Sequence, residues 1–130
     1  LFNKISKGLL TQDHTIYWLR THNFGSSFPD KSLDPLYTFE SESLKSDFEF
    51  LNPKLEVIKY ELLKAIINFN RAIATHTFGA GPNFQSVPSE WIIEQRERYT
   101  EAVDELNQLA DKVCLSYDLL IKTCRRIIKQ

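Results

Sequence analysis

The chain has 130 residues, of which 42% are hydrophobic and 25% charged, and its formal net charge is -1. This length fits one domain, residues 1–130, whose core needs neither a disulfide nor a metal. The composition argues against a disordered chain, and the near-zero charge makes a nucleic-acid partner unfavourable. No apolar run approaches the roughly 20 residues of a membrane-spanning helix, so we expect no membrane span in this segment.

The first residue, the lack of methionine and the spacing of the two cysteines are clues to the origin of the chain. It begins at Leu1 and contains no methionine, so we expect a fragment of a longer protein. Cys114 and Cys124 lie on one predicted helix at about 15 Å along its axis, which is beyond disulfide reach. A reducing compartment is the simpler interpretation. We therefore expect a cytoplasmic location, or the soluble part of a membrane-anchored protein.

The first twenty residues carry an apolar stripe at helical spacing. Its members are Phe2, Ile5, Leu9, Ile16 and Leu19. A single helix with a kink near Gly8 explains the stripe and is the favoured interpretation. In the alternative, Thr11 caps a second helix.

The next thirty residues predict a loop, a short helix and a turn. Residues 22–30 contain glycine, serine and proline, which break helical periodicity. A third helix begins near Pro35, with Asp34 as its cap. Its predicted inward side chains are Leu36, Phe39 and Leu44. Residues 46–51 are predicted to form a turn with buried phenylalanines.

A long amphipathic helix is predicted over residues 53–76. Asn52 is a good N-cap and Pro53 a good first helical residue. Apolar side chains then recur at alternating spacings of three and four, at Leu55, Ile58, Leu62, Ala65, Phe69 and Ala72. This spacing places them on one face of a helix.

The strongest periodicity extends from about residue 88 to residue 129. It is a nearly unbroken alternation of four and three, at Tyr99, Val103, Leu106, Ala110, Val113, Tyr117, Leu120, Cys124 and Ile127. Such spacing is typical of helices that pack along a coiled-coil-like seam. The fold is therefore predicted to be all-α, an antiparallel bundle of three to four helices with two long amphipathic helices, about 53–76 and 88–129. No β-hairpin is predicted.

Arg71 and His76 are the one candidate catalytic pair. An arginine followed four to six residues later by a histidine resembles the motif of the HEPN-fold ribonucleases, which are small helical bundles. The resemblance implies proton transfer by His76 and charge stabilisation by Arg71 at an RNA phosphodiester, in a site formed at a dimer interface. It covers only these two residues, and Ala72 stands where that family usually has a polar residue.

The other chemical motifs are weaker. His14 and His22 lie too far apart along one helix, about 12 Å, to share a metal ion. The segment Gly79–Gly81 lacks the preceding strand that a phosphate-binding loop needs. We therefore expect neither a metal nor a cofactor.

Charge is unevenly spread along the last predicted helix. Its beginning is acidic, with Glu90, Glu94, Glu97, Glu101, Asp104 and Glu105. Its end is basic, with Lys122, Arg125, Arg126 and Lys129. The helix dipole favours this arrangement, which is the interpretation adopted here.

The leading functional hypothesis is a non-enzymatic helical domain that mediates interaction or regulation, with a protein partner or self-association. The alternative is an HEPN-like bundle that cleaves or binds RNA. The first interface candidates lie on the heptad seam: Tyr99, Val103, Leu106, Val113, Tyr117 and Leu120. If the seam is internal, the loop phenylalanines become the better candidates: Phe24, Phe28, Phe78 and Phe84.

Overall fold

The computed structural model describes residues 1–128, and within them the chain is mostly helical with one small three-stranded sheet. The helices are α1 (Tyr17–Thr21), α2 (Asp34–Glu42), α3 (Pro53–His76), α4 (Trp91–Glu94) and α5 (Arg96–Ile128). The strands are β1 (Phe28–Pro29), β2 (Phe78–Gly79) and β3 (Phe84–Ser86). The prediction of a mostly α-helical fold is confirmed, while the prediction of an all-α chain without a β-hairpin was wrong.

Helix α3 has the bounds that its local signals predict. The side chain of Asn52 accepts hydrogen bonds from the backbone N–H groups of Lys54, at 2.9 Å, and Leu55, at 3.2 Å. Pro53 occupies the first turn, where its missing N–H costs no helical hydrogen bond. The helix ends at His76 because Thr77 has an extended backbone.

Helix α5 begins eight residues later than the predicted residue 88. Gln95 interrupts the helical backbone with φ -145° and ψ 61°, which leaves the short α4 before the break. The break accompanies a change of direction that buries Trp91, whose ring lies under the guanidinium of Arg98 at 3.8 Å. Periodicity alone did not predict this bend. The predicted final residue, 129, lies outside the described part of the chain.

The amino-terminal stripe forms two π-helical segments, Lys4–Leu9 and Gln12–Ile16, and the second leads directly into α1. Thr11 between them is extended, so the predicted single helix was wrong and the alternative with a fresh start at Thr11 is closer. The break changes the helical phase. It buries Leu10 completely, while Leu9, which the stripe placed inward, is only partly buried.

A 3₁₀ segment, Asp30–Leu33, leads into α2 near the predicted start. Leu36 and Phe39 are buried as predicted, but Leu44 is 89% exposed because α2 ends at Glu42, before it. In the turn that follows, Phe48 is buried and Phe50 half-buried. Lys59 fixes this turn to α3, because its ammonium donates to the carbonyl oxygen of Phe48 at 2.5 Å.

The core lies mainly between α3 and α5, which contact each other along their lengths. Four α5 residues that we call the α5 seam are almost completely buried, namely Leu106, Val113, Tyr117 and Leu120. From α3, Leu62, Ile66 and Phe69 contribute to the same hydrophobic cluster. Cys114 and Cys124 are both buried and free, as their predicted separation requires.

The sheet joins the two loops of the molecule. Strand β3 lies between β1 and β2 and pairs antiparallel with both. The turn between β2 and β3 contains Gly81 at φ +101° and Asn83 at φ +66°. Glycine and asparagine are the residues that tolerate such left-handed conformations, so the turn chemistry suits this tight reversal.

Candidate functional site

The α5 seam is internal in this fold. Leu106, Val113, Tyr117 and Leu120 are almost completely buried within the chain itself. The other two seam candidates, Tyr99 and Val103, are half-buried. Their side chains border the first loop, where Tyr99 donates its hydroxyl hydrogen to the carbonyl oxygen of Gly25 at 3.1 Å. Because the four residues of the α5 seam are internal, the loop phenylalanines become the better interface candidates.

The phenylalanines of the first loop are core residues. Phe24 and Phe28 are fully buried, with ring centroids 5.5 Å apart in an edge-to-face arrangement. The ring of His22 lies 4.8 Å from that of Phe24 and 5.7 Å from that of Phe28. Burial lowers the pKa of His22, although its hydrogen bond to the carbonyl of Ser26 acts in the opposite direction. These side chains close one end of the core and present little surface to a partner.

The phenylalanines of the second loop are surface residues. Phe78 is 51% exposed and Phe84 is 43% exposed. The pairing of Phe78 with Ser86 and of Gly79 with Gln85 fixes their orientation. Side chains alternate across a strand, so this register places Phe78 and Phe84 on the same outer face of the sheet. Phe28, which pairs with Gln85, belongs to the opposite, inner face, which explains its burial.

Helix α4 contacts this face through Trp91. The rings of Phe78 and Trp91 meet edge-to-face at 6.1 Å. In the same helix, Ile93 is 91% exposed and Ile92 is also exposed. We call Phe78 and Phe84 the hairpin patch. Large exposed aromatic side chains on one face of a hairpin are typical of a binding surface.

Carboxylates border the hairpin patch. Glu90 lines the same depression of about 150 Å³ as Phe78 and Gly79. Glu94, Glu97 and Glu101 follow, all exposed and in none of the ion pairs of residues 1–128. Glu105 continues the series and contacts His76, at the end of the helix that leads into β2. Residues 90–105 are therefore strongly acidic, although the chain as a whole is nearly neutral.

The candidate catalytic pair lies in a second surface groove. Arg71 and His76 both line a depression of about 430 Å³ between α3 and α5, together with Asn68, Thr75, Glu105 and Leu109. The Nε2 atom of His76 hydrogen-bonds to a carboxylate oxygen of Glu105. Arg71 is exposed, and among residues 1–128 it forms no ion pair. The groove thus contains an imidazole and a guanidinium from α3 and a carboxylate from α5.

A third surface lies over α2 and α3. Its large exposed side chains are Tyr37, Leu44, Val57 and Tyr60. Charges of both signs are interspersed there, since Lys64 lies over the ring of Tyr60 at 5.1 Å and pairs with Glu61 at 3.2 Å. This surface therefore lacks the acidic excess of residues 77–105, which contain six acidic residues and two arginines.

No metal centre is present among the described residues. Within residues 1–128, no group of three or more His, Cys, Asp or Glu side chains is placed to hold an ion. His14 is exposed on the amino-terminal segment, whereas His22 belongs to the aromatic cluster. In the same part of the chain, no helix has the length and apolarity needed to cross a membrane.

Comparison with known proteins assigns no relative. No protein-family model, no curated protein and no solved structure matches the chain. The functional argument therefore depends on the chain's own side chains.

Sequence reasoning missed two features of these sites. It did not single out Ile92 and Ile93, although two adjacent isoleucines in an otherwise acidic and polar stretch could have suggested an exposed turn. It also did not pair Glu105 with His76, because the two residues are far apart in sequence and only the packing of α3 on α5 brings them together.

Proposed function

We propose that this chain is a non-enzymatic interaction domain, an antiparallel helical bundle that presents the hairpin patch to a protein partner. In this proposal the two long helices supply a rigid scaffold, and the β2–β3 hairpin with α4 supplies the contact surface. Binding surfaces carried on short loops that a scaffold holds in place are common in proteins. We also propose that the helices form a bundle of three to four.

One observation carries the proposal: Phe78 and Phe84 are half-exposed on one face of the sheet. Exposing these side chains has a cost, since each buried large apolar side chain would contribute about 1.5–3 kcal/mol to stability. The first loop shows that this fold can bury loop phenylalanines, because Phe24 and Phe28 are fully enclosed. The exposure of Phe78 and Phe84 is therefore not shared by the phenylalanines of the first loop.

A selection from a random displayed-peptide library tests the proposal. Peptides enriched on the wild-type domain should lose most of their binding to the double variant Phe78→Ser/Phe84→Ser, because these rings are the proposed anchors. The matched control is Val57→Ser/Tyr60→Ser, which removes two exposed apolar side chains from the α2–α3 surface. Binding should survive the control. Equal loss in both variants, or no enrichment at all, would contradict the proposal.

The second candidate function is an HEPN-like activity on RNA. Its support is that Arg71 and His76 line one groove, where an imidazole could transfer a proton and a guanidinium could stabilise a phosphate. Against it, Glu105 contacts His76 and the nearby edge is acidic, which disfavours a phosphate backbone. Ala72 also lines the groove in place of the polar residue of that motif.

Light scattering after gel filtration, over a wide range of concentration, and an RNA-cleavage assay separate the two candidates. A composite site at a dimer interface requires a dimer, so a stable monomer excludes the HEPN-like arrangement. If a dimer forms, cleavage that disappears in both His76→Ala and Arg71→Ala would establish it. Cleavage that persists in His76→Ala would exclude this pair as the catalytic residues.

A further inference from the structure

Six acidic residues near the hairpin patch extend from Glu90, at the start of α4, to Glu105 on α5. Glu90 shares a depression with Phe78, and Glu105 contacts His76, two residues before Phe78 in the chain. Both ends of the series thus lie next to the hairpin. Between them are four further carboxylates, Glu94, Glu97, Glu101 and Asp104, all of them exposed.

Few positive charges offset this series. Residues 77–105 contain six acidic residues and two arginines, Arg96 and Arg98. Arg98 keeps its charge while its guanidinium stacks on the ring of Trp91 at 3.8 Å, and Arg71 lines the groove that contains Glu105. The acidic residues still outnumber these cations, which leaves a local excess of negative charge next to the exposed Phe78 and Phe84.

The helix dipole does not account for the whole series. Because α5 begins at Arg96, only Glu97 lies in its first turn, and the favourable effect of the dipole is confined to that turn. Glu101 and Glu105 follow at intervals of four residues, so each faces a like charge on the same side of the helix. Such pairs destabilise a helix by about 0.2–0.5 kcal/mol each. The fold therefore accounts for Glu97, in the first turn, and for Glu105, which contacts His76, but it gives Glu101 no ion-pair partner within residues 1–128.

We propose that the partner of the hairpin patch is a basic amphipathic segment of another protein, whose apolar side chains contact Phe78 and Phe84 while its lysines and arginines face Glu90, Glu94, Glu97 and Glu101. This inference rests on the proposed function, to which it adds the chemistry of the partner. Opposite charges on the two surfaces accelerate association and suppress wrong partners. The same field repels nucleic acid and anionic lipid.

The proposal is tested with the peptides selected on the wild-type domain. Enriched sequences should combine aromatic or aliphatic residues with an excess of lysine and arginine. The Kd of a synthetic copy should rise about tenfold or more in the variant Glu97→Lys/Glu101→Lys, because repulsion replaces attraction at the edge of the interface. It should also rise between low salt and 0.5 M salt, where exposed charges are screened.

The matched control is Glu61→Lys/Asp111→Lys, which changes the net charge by the same amount at exposed positions outside the acidic series. Its Kd should stay within about threefold of the wild-type value. Circular dichroism should show the same helicity for both variants, which excludes unfolding as the cause of weaker binding.

The possible failures are distinguishable. Peptides that require Phe78 and Phe84 but are neutral or acidic would overturn the basic partner and leave the interaction domain standing. Peptides that bind independently of the hairpin patch would contradict the proposed function itself. Self-association that disappears in Arg125→Glu/Arg126→Glu would overturn the proposal in favour of a second copy, because these residues supply the basic end of α5.

Discussion

The α5 seam and the hairpin patch are the two apolar regions that bear most directly on function, and they differ most in burial. Leu106 and Val113 in the seam are fully enclosed, whereas Phe78 and Phe84 in the patch are 51% and 43% exposed. The seam is covered because α3 offers a facing stripe, with Leu62 and Phe69 in the same cluster. The outer face of the hairpin is covered only in part, since Phe78 meets Trp91 of α4 and remains 51% exposed. Regularly spaced apolar residues thus predict a buried helix face but do not identify the element that covers it.

The largest expected effect separates core from surface directly. Leu106→Asp places an unpaired charge in a fully buried site, and we expect a loss of more than about 4 kcal/mol in the free energy of unfolding, enough to prevent folding. Phe84→Asp introduces the same side chain at an exposed position and should change the free energy of unfolding by less than about 1 kcal/mol. Denaturant unfolding monitored by circular dichroism measures both. A folded, helical Leu106→Asp variant that loses self-association would instead return the seam to the interface.

A smaller effect tests whether the α5 seam contains an unpaired polar group. The hydroxyl of Tyr117 is buried and has no hydrogen-bond partner among the described residues, whereas the hydroxyl of Tyr99, on the same helix, donates to Gly25. Burying an unpaired hydroxyl is unfavourable, so Tyr117→Phe should raise the free energy of unfolding by about 1 kcal/mol. Tyr99→Phe, the matched control, should lower it by about 1 kcal/mol. The same loss in both variants would show that Tyr117 has a polar partner and that the seam is not purely apolar.

The helix at residues 53–76 was predictable because its signals are local. Asn52 caps the backbone N–H groups of the next residues and Pro53 fits the first turn, so no distant contact is needed to fix the start. The start of α5 was not predictable in this way. Pro88 is a plausible first residue, but the burial of Trp91 against Phe78 and Arg98 bends the chain at Gln95.

The candidate sites were only partly predictable, because burial depends on distant neighbours. Phe24 and Phe78 both lie in glycine-containing loops and give similar local signals. Phe24 is buried because its ring packs on Phe69 at 5.4 Å and its backbone N–H donates to the side chain of Asn107 at 2.9 Å. The pairing of His76 with Glu105 likewise requires the packing of α3 on α5. Residue type therefore identified the candidates, and only the fold separates them into core and surface.

The smallest expected effect links the aromatic cluster to the hairpin. His22 packs on Phe28, whose strand pairs with β3, so protonation of His22 should loosen the attachment of β1. Burial holds the pKa of His22 below its ordinary value of 6.5, so the unfolded chain binds the proton more strongly than the folded chain. The stabilisation from neutral His22 is thus complete above the unfolded pKa and is lost as pH falls from 6.5 through the folded pKa.

Denaturant unfolding of the wild type at several values between pH 7.5 and pH 5 measures this loss. His22→Gln should flatten the change in stability over that range, because it removes the group whose pKa burial lowers. Amide exchange should rise first in residues 22–29 and last in the α5 seam, because protonation acts on the loop and not on the α3–α5 contact. Equal acceleration in both regions would mean that the hairpin and the seam open together, and that the patch is not an independent element.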